Sequence, residues 1–378
     1  MRKEGGIPNN ELLRGNDLKR AVRRHMEERV QRRREEGSDY LPLSLAMLAN
    51  LDFIDPDWSK PRSMTEVTNT IGSFCASFHY AHLMVGAGTY GNFADLFNVP
   101  YSTTEKWAPI IGDTMDDPKM KADFQTNAWR PPTTVFPERY VPLQYILSHR
   151  FGTEPVTIAD LGTGLHAAIP LLNSEDNKRY NFPGKDLIQQ YSADVNVAFG
   201  IGVDSQERDP SWAQSSIWPV EGGIKRILQF SKVMATLVYQ YKKDSQKMPF
   251  LQQDITSPRA LENIQQAMQM RGQGTKVRAV NSGFVRQFFG SDSAAQQQHT
   301  QLAYDLLEDR GIFIDCGAEN VTSYSEDRDT KINVYEKNER EKRFVHLGTP
   351  FILENQIDID STSLSYFTNP NNRLVGAR

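Results

Sequence analysis

Three short segments of this chain that read as strands are each followed by an aspartate, namely Asp160, Asp204 and Asp254. The carboxyl ends of neighbouring parallel strands form one edge of a sheet, and ligands of open α/β sheets bind at that edge. Carboxylates accept hydrogen bonds from hydroxyl and amino groups and attract cations. Successive acids along such an edge therefore predict a site for a ligand that carries hydroxyls and a positive charge.

The first of these acids opens the sequence Asp160-Leu161-Gly162-Thr163-Gly164. Gly162 and Gly164 permit a tight turn and close approach of the backbone to a ligand. With Ala167 they also match G-x-G-x-x-A, the fingerprint of a loop that holds a dinucleotide pyrophosphate at a helix N-terminus. That fingerprint expects an acid about 20 residues later, whereas Asp204 lies 42 positions beyond Gly162. Coulomb repulsion also makes Asp160 an unfavourable neighbour for a pyrophosphate.

From about residue 151 onward the sequence alternates between strand and helix patterns, which is typical of a parallel sheet with helices on its faces. Apolar residues at helical spacing predict a helix around Leu261–Met268 and another around Leu302–Leu307 that ends before Gly311. The predicted strands are 156–159, 197–203, 249–253, 277–280 and 311–316, followed by an antiparallel pair at 332–335 and 343–347.

The first 150 residues read as helical, and a proline cluster that begins at Pro131 separates them from the rest. Ser63 and Glu66 form a capping-box pattern at the start of one helix. Another helix, residues 16–36, is rich in arginine and carries one apolar stripe, which favours docking on the protein and leaves nucleic-acid binding as an alternative. The stripe comprises Leu18, Val22, Met26 and Val30.

Residues 156–347 resemble a class I S-adenosylmethionine-dependent methyltransferase. The segment "IADLGTGLH" resembles the first motif of that family, "GIGVDSQ" the motif of strand two, and "FLQQDIT" that of strand three. The segments "VRAVNSGFVRQFF" and "LLEDRGIFIDCG" occupy the positions of strands four and five. The resemblance implies an α/β fold with a mostly parallel, seven-stranded sheet flanked by helices in 151–378, and a helical N-terminal cap region in 1–150. The implied S-adenosylmethionine-binding residues are Asp160, Gly162, Thr163, Gly164, Asp204, Gln253, Asp254 and Ser282.

Asp160 suits this cofactor, since it can attract the cationic amino-acid portion, while Asp204 can accept both ribose hydroxyls and Asp254 can accept from the adenine amino group. His166 stands where many family members have a small residue. Strand four ends in Asn281-Ser282, without the Asn/Asp-Pro-Pro-aromatic motif of methyltransferases that act on adenine or glutamine amino groups. This departure disfavours methylation of nucleobases.

A small-molecule methyltransferase is therefore the leading hypothesis, because a helical cap suits enclosure of a compact acceptor. An NAD(P)-dependent oxidoreductase, a nucleic-acid methyltransferase that uses the basic helix, and a catalytically silent binding protein are the alternatives. Methyl transfer is an in-line displacement that depends on alignment and, for some acceptors, on proton removal. The candidate bases are His79, His82 and, more weakly, Tyr140, and Arg130 is a candidate partner of the cofactor carboxylate. Structural roles are favoured for all four, so no catalytic residue is assigned.

The composition restricts the class of protein. The chain has 378 residues, a net charge of −4 and two cysteines, so neither a disulfide framework nor a cysteine zinc site is expected. No stretch approaches the roughly 20 apolar residues of a membrane helix, and no secretory signal is evident at the N-terminus. These features predict a cytoplasmic protein without a metal or membrane partner, and they leave its oligomeric state open.

Overall fold

The computed structural model describes residues 12–36, 41–86, 104–132, 140–179, 185–188, 194–217, 223–244, 247–283, 285, 289, 292–317, 330–353 and 357–359. Two compact units divide the chain: residues 1–134 with 209–231 form unit 1, and residues 135–208 with 232–378 form unit 2. The sequence placed a single division at residue 150. The difference arises because the helix before the first strand packs in the sheet's core, and because a later segment returns to unit 1.

Helices make up the described part of unit 1. Asp209, at the start of the returning segment, accepts a hydrogen bond from the Trp212 backbone N–H (2.9 Å) and pairs with Arg130 (2.8 Å), and these contacts tie it to unit 1. The bounds are α1 (Gly15–Glu36), α2 (Leu41–Ala49), α3 (Met64–Thr68), α4 (Thr70–Met84), α5 (Thr104–Asp116), α6 (Pro118–Asn127) and α11 (Pro210–Ser215).

The arginine-rich helix α1 is docked by its apolar stripe, as favoured by its sequence pattern. Leu18, Val22 and Met26 are fully buried and Val30 nearly so. Several of its outward charges are paired, since Lys19 and Arg23 both contact Asp52 at 3.0 and 2.8 Å. The capping box is confirmed as well: the backbone N–H of Ser63 donates to Glu66 Oε2 (2.8 Å), and the backbone N–H of Glu66 donates to Ser63 Oγ (3.3 Å).

Unit 2 contains one eight-stranded sheet in the order β3-β2-β1-β4-β5-β6-β7-β8. Strands β1 to β5 run parallel to one another, whereas the pairs β5–β6, β6–β7 and β7–β8 are antiparallel. The bounds are β1 (Val156–Leu161), β2 (Val197–Asp204), β3 (Phe250–Gln252), β4 (Val277–Gly283), β5 (Leu307–Gly317), β6 (Thr330–Asn338), β7 (Arg343–Leu353) and β8 (Ile357–Ile359).

The other helices in chain order are α7 (Val141–Phe151), α8 (Ala168–Leu171), α9 (Glu175–Arg179), α10 (Lys185–Ile188), α12 (Gly223–Asp244), α13 (Ala260–Gln269) and α14 (Ser293–Leu306). Strand alternation gives the sheet two apolar faces. Ile158 and Ile312 belong to a core cluster with residues of α7. On the other face, Leu161 and Phe313 belong to a cluster with residues of α13 and α14. Burial on both faces explains why the parallel strands read as continuous apolar runs.

Two sequence predictions for the sheet need correction. The seven expected strands are present, and the short strand β8 adds an eighth. The sheet is mixed: the pairs among β1 to β5 are parallel, and the last three strands form a meander in which each strand pairs antiparallel with the one before it. The helix before β5 ends at Leu306 and the strand begins at once with Leu307, so Gly311 is not the helix stop. The buried Lys337 ammonium donates to the Leu307 carbonyl at 2.8 Å and satisfies this helix end.

Among the described residues, no helix has the length and apolar character that a membrane crossing requires. Both cysteines, Cys75 and Cys316, are buried free thiols.

Candidate functional site

The candidate site lies where the order of the parallel strands reverses. Strand β1 has β2 on one side and β4 on the other, so the chain connections leave this point in opposite directions. In open α/β sheets the crevice at the carboxyl ends of such strands is the usual ligand site. Asp160 in β1 is in register with Gly202 in β2 and with Asn281 in β4. The sheet therefore brings the ends of the first, second and fourth strands together.

Asp160 is a buried carboxylate, only 2% exposed. Its Oδ1 accepts a hydrogen bond from the Asn281 side-chain amide (2.7 Å), and its Oδ2 accepts one from the Thr163 hydroxyl. Burial raises the pKa of this carboxyl from 3.8 to about 6, although both hydrogen bonds act in the opposite direction. Within the part of the chain that the structure describes, no lysine or arginine forms an ion pair with Asp160. Both hydrogen-bond partners of the Asp160 carboxylate in the described part of the chain, Asn281 and Thr163, are therefore neutral.

The glycine loop forms the tight turn that its sequence predicted. The backbone N–H groups of Gly162 and Thr163 both donate to the Val203 carbonyl, at 2.8 and 3.2 Å. Gly162 and Gly164 have φ angles of +66° and +57°, a region that residues with a Cβ rarely adopt. A Cβ built on Gly162 lies 2.1 Å from Val285 Cγ2. The space that this glycine leaves is therefore filled by Val285.

Asp204 anchors the glycine loop to the end of β2. Its Oδ2 accepts a hydrogen bond from the Gly164 backbone N–H (2.8 Å), and its Oδ1 accepts one from the Gln206 backbone N–H (2.9 Å). The side chain is partly exposed. Because a carboxylate offers about four acceptor sites, each oxygen can still accept a further hydrogen bond, such as one from a ribose hydroxyl. The anchoring role was missed from the sequence, because the partner is a backbone group 40 residues away.

The end of β3 is joined to the same edge. The Gln253 backbone N–H donates to the Asp204 carbonyl at 2.7 Å, while the Gln253 side-chain oxygen accepts from Asn263 at 2.6 Å. Asp254 is exposed, and its Oδ1 accepts from the backbone N–H and hydroxyl of Thr256 at 2.9 and 2.8 Å. Both side chains lie at the predicted edge, but they are already oriented, Gln253 by Asn263 of helix α13 and Asp254 by Thr256 in its own turn.

Ser282 and Asn281 point to opposite faces of β4, as successive strand residues do. The Ser282 hydroxyl lies 2.9 Å from His299 Nε2, and both side chains are fully buried. The neighbour that contacts Asp160 is instead Asn281. The structure therefore does not bring Ser282 together with the other predicted site residues, and it adds Asn281, which the sequence analysis did not select.

His166 is fully buried and has a φ angle of +56°. Its Nε2 lies 3.3 Å from the Met248 carbonyl, and its Nδ1 lies 3.4 Å from the Thr163 hydroxyl. A Cβ built on Gly202 of β2 would lie 2.1 Å from His166 Nδ1, so the imidazole ring fills the space beside Gly202. Burial, with a smaller contribution from Arg208, lowers the pKa of the ring to about 3. The histidine is accordingly a neutral part of the loop's packing.

The candidate bases of unit 1 are engaged in internal contacts. His79 Nδ1 lies 3.2 Å from the Ser215 carbonyl, and His82 Nε2 lies 3.1 Å from the Thr114 hydroxyl; both rings are fully buried. Arg130 is ion-paired with Asp209 at 2.8 Å and stacks 4.7 Å above the Trp212 ring. In unit 2, Tyr140 precedes helix α7 as its N-terminal cap residue. These contacts favour structural roles for His79, His82 and Arg130.

We expect His79 to remain neutral between about pH 5 and 8, because burial lowers its pKa from 6.5 to about 4. NMR of its ring proton as a function of pH measures this directly, with the denatured chain as the control. Since the unfolded chain takes up this proton at a higher pH than the folded one, the contribution of His79 to the free energy of unfolding is present above pH 6.5 and is lost as the pH falls towards 4. A midpoint near 6.5 in the folded protein would contradict the assignment.

Within the described residues, no group of three or more histidines, cysteines or acids is placed to hold a metal ion.

No family model and no curated protein matches this chain. Among solved structures, it is 9% identical to an O-methyltransferase family protein from Burkholderia thailandensis, with a TM-score of 0.28 and coverage of 79% of this chain and 76% of that one. It is 12% identical to lmo1582 from Listeria monocytogenes, assigned to the class I S-adenosylmethionine-dependent methyltransferases, with a TM-score of 0.28 and coverage of 81% and 75%. It is also 12% identical to YjhP from E. coli, with a TM-score of 0.24 and coverage of 50% of this chain and 53% of that one, so the match spans about half of YjhP.

With identities of 9 to 12%, the assignment of a function depends on the geometry of the strand ends.

Proposed function

We propose that unit 2 binds S-adenosylmethionine at the carboxyl ends of β1, β2 and β3, and that the protein transfers its methyl group to a small-molecule acceptor. The observation that carries the proposal is the buried Asp160 carboxylate, whose hydrogen-bond partners among the described residues, Asn281 and Thr163, are both neutral. A buried charge is unfavourable unless it is paired. A ligand with a cationic end supplies a positively charged partner, and S-adenosylmethionine has both a sulfonium and an α-ammonium group.

The geometry disfavours the dinucleotide alternative. A pyrophosphate is stabilised by the backbone N–H groups and the dipole of a helix that follows the glycine loop. Here the helix after the loop, α8, has only four residues, so it provides little dipole. The Asp160 and Asp204 carboxylates would also repel a pyrophosphate placed between them.

The residues fit the proposed cofactor as follows. Asp160, oriented by Asn281 and Thr163, faces the cationic amino-acid end. Asp204 keeps acceptor capacity for the ribose hydroxyls while it holds Gly164 in place. In this proposal Asn281 replaces Ser282, whose hydroxyl is directed to His299. Gln253 and Asp254 remain the proposed groups for the adenine end.

S-adenosylmethionine, when bound, supplies a methyl carbon that is already activated by the sulfonium. The task of this chain is then to hold the cofactor, align the acceptor and exclude water. Asp160 and Asp204 supply the holding contacts from the strand ends. We assign no catalytic base, because His79 and His82 are oriented by internal contacts, and the nature of the acceptor atom stays open.

The contribution of Asp204 can be measured with Asp204→Ala. We expect this variant to bind S-adenosylmethionine about ten- to hundredfold more weakly in a calorimetric titration, because hydrogen bonds to a charged acceptor contribute about 1.5–3 kcal/mol. Glu207→Ala is a matched control, since Glu207 is an exposed acid three positions further along the same loop and its removal changes the net charge equally.

Asp204→Ala also releases the backbone N–H groups of Gly164 and Gln206, so thermal melting must accompany the titration. Asp204→Asn retains an acceptor oxygen for one of these groups and separates loop anchoring from ligand binding. Unchanged affinity in a folded Asp204→Ala protein would remove this residue from the proposed site.

A further inference from the structure

Four polar side chains in unit 2 form a continuous chain of contacts beneath the glycine loop. The Asn281 amide donates to Asp160 Oδ1 (2.7 Å), the Thr163 hydroxyl donates to Asp160 Oδ2, and the same hydroxyl lies 3.4 Å from His166 Nδ1. The last contact of this chain joins His166 Nε2 to the Met248 carbonyl oxygen, at 3.3 Å. The chain thus connects the candidate ligand site to a backbone carbonyl just before β3.

The partners of His166 determine where its proton lies. A carbonyl oxygen only accepts hydrogen bonds, so the neutral ring carries its hydrogen on Nε2, which faces Met248. Nδ1 is then an acceptor, and it faces the hydroxyl of Thr163. That hydroxyl has a single proton, which it can give either to Asp160 or to His166. The contact of 3.4 Å is long while the proton points to Asp160.

The placement of His166 is maintained at a conformational cost. A non-glycine residue with φ of +56° is unusual, and such conformations persist only where the surroundings enforce them. The imidazole ring of His166 lies in the space next to Gly202, where a side chain on residue 202 would collide with it. An apolar side chain would fill that space without an acceptor, so the imidazole is the feature that requires a chemical explanation.

We propose that His166 is a positioning residue of the glycine loop: its Nδ1 is the alternative acceptor for the Thr163 hydroxyl, which keeps the hydrogen-bond chain intact whether Asp160 is ionised or protonated. With Asp160 ionised, Thr163 donates to Asp160. With Asp160 protonated, the carboxyl O–H donates to Thr163 Oγ1, and the hydroxyl turns to donate to His166. Only two protons differ between these states: the proton that Asp160 takes up, and the hydroxyl proton of Thr163, which turns from Asp160 to His166.

This arrangement couples the charge of the ligand to the protonation state of Asp160. Among the described residues, the charged groups that act on this hydrogen-bond chain are Asp204, whose negative charge raises the pKa of Asp160, and Arg208, whose positive charge lowers the pKa of His166. If S-adenosylmethionine is the ligand, as proposed above, its cationic end favours ionised Asp160, so binding releases the proton. Affinity should then fall by up to about tenfold for each pH unit below the Asp160 midpoint.

The test follows the Asp160 carboxyl carbon by ¹³C NMR in the ligand-free full-length protein, with Asp160→Asn used to identify the signal. The wild-type midpoint is expected near pH 6. Thr163→Val should raise it by about half to one unit, because the ionised form loses a donor. His166→Phe should lower it by a similar amount, because the protonated form loses the acceptor that the hydroxyl needs.

The double variant distinguishes a hydrogen-bond relay from a packing effect. In the Thr163→Val background, His166→Phe should leave the midpoint unchanged, since the hydroxyl that connects the two groups is absent. An equal shift of the midpoint in both backgrounds, or an upward shift on His166→Phe, would overturn the proposal. His166→Ala serves if the phenylalanine variant does not fold, because alanine also lacks an acceptor and fits within the space of the imidazole ring.

A measurement on the wild-type protein needs no variant. ¹⁵N NMR of the His166 ring should show a protonated Nε2 and an unprotonated Nδ1, and the opposite tautomer would overturn the relay. These ligand-free measurements are independent of the proposed function. An intact relay in a protein that does not bind S-adenosylmethionine would overturn the proposed function and leave the relay standing.

Discussion

Replacing Asp160 by asparagine is expected to weaken the binding of S-adenosylmethionine by about ten- to hundredfold. The substitution removes a buried negative charge beside the proposed cationic end of the ligand, and interactions with charged groups contribute about 1.5–3 kcal/mol. Folding should survive, because the new amide can accept from Asn281 and donate to Thr163, which then donates to His166. The asparagine variant thus reproduces the hydrogen-bond pattern of protonated Asp160. Calorimetric titration measures the affinity, and thermal melting checks the fold.

The sign of the Asp160→Asn effect separates the two cofactor hypotheses. For a dinucleotide, the carboxylate faces a pyrophosphate, so its neutralisation should leave the affinity equal or increased. Glu207→Gln is a suitable control, because it neutralises an exposed acid in the neighbouring loop. Tighter binding of NAD or NADP by Asp160→Asn would reject the methyltransferase hypothesis.

Gly162→Ala is expected to lower the free energy of unfolding of unit 2 by about 2–5 kcal/mol, which combines backbone strain with overpacking. The φ angle of +66° disfavours any residue with a Cβ, and the added methyl group would lie 2.1 Å from Val285 Cγ2. Denaturant unfolding followed by circular dichroism measures the loss. We also expect weaker ligand binding, because the neighbouring Gly164 contacts Asp204.

Gly272→Ala is the matched control for this variant. Gly272 has a similar φ angle of +71°, but a Cβ built there meets no atom within 4 Å. The difference between the two variants isolates the collision with Val285 from the cost of the backbone conformation. Equal destabilisation by both substitutions would show that Val285 yields and that the space beside Gly162 is not constrained.

The strand ends could be predicted from the sequence because the parallel strands are buried on both faces and read as apolar runs. Asp160 and Asp204 therefore stand at the ends of β1 and β2, as expected. The choice between Asn281 and Ser282 could not be made in this way. It depends on which β4 residue shares a face with Asp160, and register between strands 121 residues apart is a tertiary property.

The division into units shows the same limit. Asp209 follows β2 in the sequence, yet it belongs to unit 1 through contacts with Tyr80 and Arg130, 129 and 79 residues earlier. Local periodicity carries no information on such contacts. The spacing of Gly162 and Gly164 correctly predicted a tight turn. It did not predict that Val285 fills the space beside Gly162, or that His166 fills the space beside Gly202.

The central claim is that a cationic cofactor, and not a dinucleotide, binds at the end of β1. Calorimetric titration of the wild-type protein with S-adenosylmethionine, its demethylated product, NAD and NADP tests this claim most directly. We predict saturable binding of S-adenosylmethionine and of the product, and no measurable heat from either nicotinamide cofactor. Binding of NAD or NADP without binding of S-adenosylmethionine would contradict the proposed function.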